Sequence, residues 1–333
     1  MNTKRATLRD VAKSAGVSYQ TVSRVINSHE NVSEKTRRRV LKAIDELDFQ
    51  VNRVAQIMQT KRSNVIEIII FDAGFNLFLY EMAHATQQAG YQCMISTIPE
   101  SRIVDAVKNA TSRFVDGLVI ASMSATSEDH ETLSKLSEGI PIVLVGARFG
   151  TVIPSVLYDQ KRGTQLAVQH LIDLGHQQIA TISGNLQSND GHDRYEGWKA
   201  TLKDNGLPLG PVAQSDFSID GGYKAMNRLL SSGEKFTAVF IANDSMAFGA
   251  YTALRENGIR VPDDISIVGF DDIPESMHFT PRLTTVRQDF QLLGRMAIEY
   301  VLRLINDPDL PPHQRILQPE LIIRDSTGPF IER

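Results

Sequence analysis

Asn243 and Asp271 each follow directly on a short apolar run, Ala238–Ala242 and Ile265–Phe270, and Arg194 lies in the polar stretch Asn189–Glu196 after a third run, Ile179–Ser183. An amide, a carboxylate and a guanidinium are the side chains that exchange paired hydrogen bonds with vicinal hydroxyls. A site for a neutral sugar wants these groups beside an aromatic platform for the apolar ring face. Each also has an ordinary alternative: Asp271 capping a turn with Asp272, and Arg194 in a surface ion pair with Asp190 or Glu196. A second candidate group lies near the N-terminus, where Tyr19, Gln20 and Arg24 face outward near the start of a short helical pattern. Gln can bond adenine at two points and Arg can do the same with guanine, whereas the hydroxyls of Thr21 and Ser23 suit phosphates. The alternative there is a three-helix domain whose polar face binds protein.

The elements that would carry the second group are legible. Thr7 can cap a helix with Leu8, Val11, Ala12 and Ala15 on one face, Asp10 standing three residues after the cap as in a capping box. Gly16 ends it. Ser18 caps a second helix that turns Val22, Val25 and Ile26 inward, and Ser33 caps a third with Val40, Ile44 and Leu47 as its apolar stripe and Lys35, Arg37, Arg38, Arg39 and Lys42 on its other surfaces. Two helices joined by a tight Gly-containing turn, with a third to close the core, make a helix-turn-helix.

Charge separates this head from the rest. Residues 1–62 hold thirteen Lys or Arg against six Asp or Glu, a net of +7 in a chain whose total is −4. A basic head on an acidic body points to a polyanion as the head's partner, with a solvated basic face as the plain alternative. At 42% hydrophobic and 22% charged residues the composition is that of an ordinary soluble protein, and no apolar run approaches the roughly 18 residues of a membrane span. The start, Met1-Asn2-Thr3-Lys4-Arg5, lacks the apolar core of a secretory signal, so a cytoplasmic protein without membrane association is expected. Cys93 is the only cysteine, which excludes an intrachain disulfide, and it sits in an apolar stretch that favours burial over reactivity. No Walker-type, G-x-G-x-x-G, H-E-x-x-H or clustered Cys/His pattern occurs; the expectation is no catalytic residue, no metal and no cofactor.

From Val65 onward apolar strands alternate with amphipathic helices. Strands are expected at Val65–Phe71, Tyr91–Thr97, Gly117–Ser122, Pro141–Val145, Ile179–Ser183, Ala238–Ala242 and Ile265–Phe270. Helices between them include Gly163–Leu174, Ser245–Asn257 and Phe290–Ile305. That order calls for parallel sheets covered by helices, and the length suits two sheets better than one. Ligands in open α/β sheets bind beyond the carboxyl ends of the strands, which predicts a cleft between two lobes.

The head motifs, Thr7-Leu8-Arg9-Asp10-Val11-Ala12, Ala15-Gly16-Val17-Ser18-Tyr19-Gln20-Thr21-Val22-Ser23-Arg24-Val25-Ile26-Asn27 and Val32-Ser33-Glu34-Lys35-Thr36-Arg37, together resemble the lac/gal repressor family of bacterial transcription regulators. The Tyr19-Gln20 pair resembles the lac-type members. The resemblance extends over the body through Leu174-Gly175-His176, Gly197-Trp198, Ala242-Asn243-Asp244, Val268-Gly269-Phe270-Asp271-Asp272 and Leu283-Thr284-Thr285-Val286. It implies an α/β fold: an N-terminal all-α helix-turn-helix domain followed by a periplasmic-binding-protein-like body of two lobes with parallel sheets.

The same resemblance implies the domain plan and the sites. The head would span 1–50, a hinge helix or linker 51–62, one lobe 63–158 plus 288–317, and the other 159–287 plus 318–328. Base reading would fall to Tyr19, Gln20 and Arg24, and contact with the DNA backbone to Thr7, Ser18, Thr21, Ser23, Asn27, Val32 and Thr36. Asn52, Arg53, Ala55, Gln56 and Met58 would enter the central minor groove, with Met58 as the apolar lever. The family usually has leucine at Met58 and proline at Val51, and losing that proline removes a pre-set φ at the hinge start. Arg194, Asn243 and Asp271 match family positions that hold sugar hydroxyls, and Gln288, Phe290 and Phe217 match neighbours of the pocket. Gly146 stands where lac-type members have an aspartate, which removes one hydroxyl partner. Trp198 and His176 are read as structural. The implied partners are a two-fold-symmetric double-stranded operator, a small sugar effector such as a galactoside acting as inducer, and a second copy of the chain. The last residues, Gly328 to Arg333, lack the leucine heptads of a tetramer, so a homodimer is expected, nucleoid-associated when bound to DNA. A regulator that needs its ligand to bind DNA is the alternative within the family. A free-standing sugar-binding protein or a sugar-active enzyme are the alternatives outside it.

Overall fold

The structure, a computed structural model, describes residues 6–26, 32–49, 57, 62–70, 76–97, 103–122, 127–137 and 139–332. The chain divides into two compact units, residues 1–63 and 64–333.

In the first unit the caps read from the sequence are all formed. Helix α1 (Leu8–Ala15) begins with a reciprocal capping box: the Thr7 backbone N–H donates to Asp10 Oδ2 at 2.8 Å while the Asp10 N–H donates to Thr7 Oγ1 at 3.4 Å. Gly16, at φ +61, closes it in the left-handed conformation that glycine adopts without steric cost. Ser18 accepts the Thr21 N–H at the start of α2 (Tyr19–Ile26), and Ser33 accepts the Thr36 N–H at the start of α3 (Glu34–Glu46). Val11, Ala12, Ala15, Val22, Val25, Val40 and Ala43 form the buried core; Leu8, Ile26, Ile44 and Leu47 pack at its edge. Phe49 joins this core as well, an apolar residue just past α3 that the helical stripe does not include.

The second unit carries two six-stranded sheets. One has the order β11-β5-β4-β3-β1-β2, with β1 (Val65–Ile70), β2 (Gln92–Thr97), β3 (Gly117–Ala121), β4 (Ile142–Val145), β5 (Ser155–Tyr158) and β11 (Gln314–Leu317). The other runs β12-β10-β9-β8-β6-β7, with β6 (Ile179–Ser183), β7 (Val212–Gln214), β8 (Ala238–Ile241), β9 (Ser266–Asp271), β10 (Thr284–Arg287) and β12 (Glu320–Ile322). Every pairing is parallel, as expected of two parallel sheets, except the short antiparallel pairing of β12 with β10. Five short strands, β5, β7, β10, β11 and β12, fall outside those expected from the sequence, unlike the equally short but wholly apolar β4 and β8. Such segments carry too little apolar pattern of their own and become strands by pairing with a neighbour.

Both faces of each sheet are covered, which is why the central strands are apolar without alternation. In the first sheet α4 (Asn76–Gln88) and α11 (Phe290–Asn306) bury Phe78, Met82, Ala297 and Val301 on one side. Helices α5 (Ile103–Ser112) and α6 (Ser127–Ser137) bury Val107 and Leu133 on the other. In the second sheet α7 (Gln160–Asp173) and α8 (Asn189–Asp204) bury Val168 and Trp198, and α9 (Ile219–Ser231) and α10 (Asp244–Glu256) bury Met226 and Ala250. The chain passes between the sheets at Tyr158–Gln160, at Arg287–Phe290 and at Leu317–Glu320. Among the described residues no helix is long and apolar enough to cross a membrane.

Candidate functional site

In the head, Tyr19, Gln20 and Arg24 are all exposed on α2, opposite the buried Val22 and Val25. The hydroxyls expected at phosphates have local bonds: Thr7 Oγ1 to Asp10 Oδ2 at 2.7 Å, Ser18 Oγ to Thr21 Oγ1 at 2.9 Å, and Ser33 Oγ to Thr36 Oγ1 at 2.9 Å. They stand at helix starts, where backbone N–H groups and the positive end of the dipole favour a phosphate. On α3 the cations are partly offset by i,i+4 partners, Arg38 with Glu34 and Lys42 with Glu46. Ser23 is half-buried and Val32 is half-buried beside the core. Asn27, Val51, Asn52, Arg53, Ala55, Gln56 and Met58 lie outside the described residues.

In the body a cavity of about 330 Å³ opens at the carboxyl ends of strands from both sheets. Val145 and Tyr158 are the last residues of β4 and β5, Asp271 the last of β9, and Asn243 follows β8. This is where backbone polarity and loop geometry place ligands in open α/β sheets. Its volume falls at the lower end of the roughly 300–1,000 Å³ of small-molecule sites. Arg194, Phe217, Asn243, Asp271, Gln288 and Phe290 all line it, as does Gly146.

Arg194, 3% exposed and on α8, organises the polar wall. Its Nε donates to Gln160 Oε1 at 2.9 Å, Nη1 donates to the Ala242 carbonyl, and Nη2 faces Asp271 Oδ1 at 3.2 Å and Asp190 Oδ2 at 3.7 Å. The guanidinium also lies over the Phe270 ring, its Cζ 3.9 Å from the centroid. Gln160 Nε2 donates to Gln288 Oε1 at 2.9 Å, and Gln288 Nε2 donates to Asp271 Oδ1 at 2.8 Å, closing a ring of four side chains. The ion pair with Asp190 and the position in a cavity wall therefore coexist rather than compete.

Asn243 is the N-cap of α10: its Oδ1 accepts the Met246 N–H at 2.8 Å and its Nδ2 donates to the Phe217 carbonyl at 3.1 Å. Phe217 and Asp271 both adopt positive φ, 68° and 107°, a conformation that costs a non-glycine residue on the order of 1–3 kcal/mol. The Phe217 ring is seated against Gly184, where any Cβ would collide with it. On the opposite side Phe290 stacks with Phe78, ring centroids 6.5 Å apart, so each end of the cavity has an aromatic surface. Beside the cavity Arg148 Nε donates to Asn189 Oδ1 at 2.8 Å and Asn189 Nδ2 donates to the Gly146 carbonyl at 3.4 Å, joining the loop after β4 to the start of α8.

Burial pushes the Asp190 carboxyl up to about 6 against the opposing pull of Arg194, and burial raises Asp271 as well. Asp216, exposed at the rim, is held below the usual carboxylate range by hydrogen bonds from the Ser218 hydroxyl and N–H. Buried Asp244 accepts from Thr285 Oγ1 at 2.6 Å and from the Ile273 N–H at 3.0 Å, pinning the loop after Asp271 to α10. Gly269 leaves the room this carboxylate occupies. Gln160, Asp190, Asp216, Tyr158 and Ser245 line the cavity without having been read as site residues. Asp190 carried a signal in its i,i+4 spacing from Arg194; Gln160 carried none. Trp198 is fully buried and His176 bridges Thr237, Ser266 and the Gly328 carbonyl, both within the packing of the second sheet.

Residues 7–52 match the model of bacterial regulatory proteins of the lacI family, and residues 168–327 match that of the periplasmic binding protein-like domain. The chain is 35% identical over 330 residues to the lactose operon repressor of Escherichia coli strain K12, covering 97% of this chain and 91% of that protein. It is 36% identical over 335 residues to the HTH-type transcriptional repressor PurR of Haemophilus influenzae, covering 96% and 98%. Among solved structures, the lac repressor dimer bound to operator and the anti-inducer ONPF superposes with a TM-score of 0.89 at 34% identity, covering 98% of this chain and all of that one. The complex of the transcriptional regulator CelR with cellobiose gives 0.72 at 30% identity, covering 97% and 100%.

Proposed function

We infer the function from the premise that this chain belongs to the lacI family of bacterial regulatory proteins: it is a DNA-binding transcriptional repressor with a ligand-binding body. We propose that it binds a two-fold-symmetric operator as a homodimer in the cytoplasm and that a small neutral sugar, acting as inducer, lowers its affinity for that operator. Relatives in this family have been captured as a dimer on operator and with cellobiose bound. The observation that carries the sugar reading is the composition of the cavity lining: carboxylate, amide and guanidinium groups from Asp271, Asn243 and Arg194 together with the Phe217 and Phe290 rings. That is the complement of a polyol with an apolar ring face.

In this reading Tyr19, Gln20 and Arg24 contact base edges, and Thr7, Ser18, Thr21, Ser23, Asn27, Val32 and Thr36 hold the register on phosphates. Residues 51–62 act as the hinge, with Asn52, Arg53, Ala55, Gln56 and Met58 in the minor groove. A segment so short does not hold a helix in isolation, so it folds when two copies pair on DNA and is released by small changes in the body. The sugar makes those changes by altering how the lobe of 63–158 plus 288–317 meets that of 159–287 plus 318–328.

The coupling is reciprocal: a sugar that weakens operator affinity a hundredfold binds the operator complex a hundredfold more weakly, about 2.7 kcal/mol. The test is fluorescence anisotropy on palindromic duplexes at moderate ionic strength with a panel of mono- and disaccharides. Salt-dependent binding that a sugar relieves is the expected result. A protein that ignores every palindrome, with and without saccharides, overturns the assignment, and one that binds only when a sugar is added makes the ligand a co-repressor.

A further inference from the structure

We propose that the cavity selects its effector by charge, admitting uncharged or amine-bearing sugars and rejecting phosphorylated and carboxylated ones; this rests on the sugar reading above. Among the described residues the lining brings three carboxylates, Asp190, Asp216 and Asp271, against one cation, Arg194. That cation is largely held by the protein, which leaves it single N–H groups for a hydroxyl but no open fork for a phosphate. Its nitrogens are engaged by Gln160, the Ala242 carbonyl, Asp271 and Asp190, and its face is covered by Phe270. An incoming phosphate would have to break that ring of bonds to reach the guanidinium fork, leaving buried acceptors unpaired.

Helix N-termini are a second source of positive potential, and five whose caps are among the described residues, those of α7, α8, α9, α10 and α11, start near the cavity. Each is already capped by its own side chain: Asp159 on the Arg162 N–H, Ser188 on Gly191, Ser218 on Gly221, Asn243 on Met246 and Asp289 on Leu292. Asp190, Asp220 and Asp244 stand in the first turns of α8, α9 and α10, where they offset the dipoles. Among the described residues no group of three His, Cys, Asp or Glu is arranged to hold a metal ion. The surplus negative charge is therefore turned toward an organic ligand. Sugar hydroxyls donate to carboxylates at no electrostatic cost, and an ammonium gains from them.

The experiment is calorimetric titration of the full chain at pH 7.5 with matched series: galactose, galactosamine, galacturonate and galactose 6-phosphate, and the corresponding glucose and cellobiose derivatives. The uncharged member of the recognised series binds, the amine binds at least as well, and the acid and phosphate bind on the order of a hundredfold more weakly. That factor is the penalty of one like charge about 6 Å away at an effective dielectric near 20. Acid or phosphate binding equal to the neutral sugar overturns the proposal. Asp216→Asn, at the exposed rim, narrows the gap by several-fold, raising phosphate affinity more than neutral-sugar affinity; an unchanged gap with a measurable phosphate affinity counts against it. If only nucleobase compounds bind, the sugar reading fails, and guanosine against its 5′-monophosphate then decides the charge question in the same way. Binding of no uncharged or amine-bearing compound overturns both.

Discussion

Gln160 and Gln288, 128 positions apart, share a 2.9 Å hydrogen bond where two of the passages between the sheets lie side by side. Tyr158 and Asp289 meet at the same place, the phenol accepting the Asp289 N–H at 2.8 Å. Gln160 also holds Arg194, so the cavity wall and the joint between lobes are one hydrogen-bonded structure. Replacing Gln160 with Ala leaves Arg194 Nε and the Gln288 amide without these partners, a loss of about 1–3 kcal/mol. Sugar affinity should fall about tenfold or more while operator affinity without sugar holds. Anisotropy titrations in both orders measure this, and loss of operator binding alone contradicts the placement.

The Arg148–Asn189 bond ties the loop after β4, which brings Gly146 to the cavity, to the first residue of α8. Arg148→Ala removes a single, partly exposed hydrogen bond worth about 0.5–1.5 kcal/mol. A few-fold faster release of bound sugar with an unchanged melting profile is expected in stopped-flow fluorescence. Slower release, or none changed, removes the contact from the binding process.

Gly184 is required because the Phe217 ring occupies the space of a Cβ. Gly184→Ala must displace the ring or shift β6, and since the ring is the sugar platform in this reading, binding is lost by at least tenfold in a protein that remains folded by circular dichroism. Retained affinity would remove Phe217 from the site.

Asp190 makes a pH prediction with a definite sign. Its carboxyl lies near 6 in the folded protein against an ordinary 3.8, because burial disfavours the charged form. Below about pH 4 both states hold the proton and there is no effect. Between 4 and 6 the folded state keeps a proton that the unfolded chain has released, so stability declines as pH rises, reaching a cost of roughly 3 kcal/mol above 6. Asp190→Asn should therefore match the parent protein near pH 4 and exceed it progressively up to pH 7 in urea titrations. A difference that stays flat across that window contradicts the assignment.

Gln20→Ala tests the reading surface. Discrimination at one base pair of each half-site should drop by about 1–3 kcal/mol, while nonspecific affinity and its salt dependence persist. Competition binding with single-substituted half-sites reports it, and an unaltered preference rules Gln20 out as a reader.

The head was legible almost entirely from local chemistry. Thr7, Ser18 and Ser33 cap the helices they precede, Gly16 ends α1, and the i, i+3, i+4 positions Val11, Ala15, Val22 and Val25 became its core. Phe49 escaped because it packs back from beyond the last helix, and Ala43 because so small a side chain adds little to the stripe of Val40, Ile44 and Leu47. In the body the apolar strands and the helices beside them were equally plain, whereas β5, β7, β10, β11 and β12 were not. Three or four residues carry no periodicity, and their state is set by the strand beside them.

The cavity divides in the same way. Asn243 and Asp271 were visible because residues at and just past strand ends emerge at the ligand edge of a sheet, and Arg194 because it lies in the polar stretch that follows β6. Nothing local marks Gln160 as the link between Arg194 and Gln288, Gly184 as the seat of Phe217, or the charge balance of three carboxylates around one committed guanidinium. The longer strands and helices, the caps and the exposed face of α2 follow from interactions within a few residues, and the sequence determines those by itself. The shape and charge of the cavity arise where separate passages of the chain converge, and only tertiary packing brings those groups within hydrogen-bonding distance.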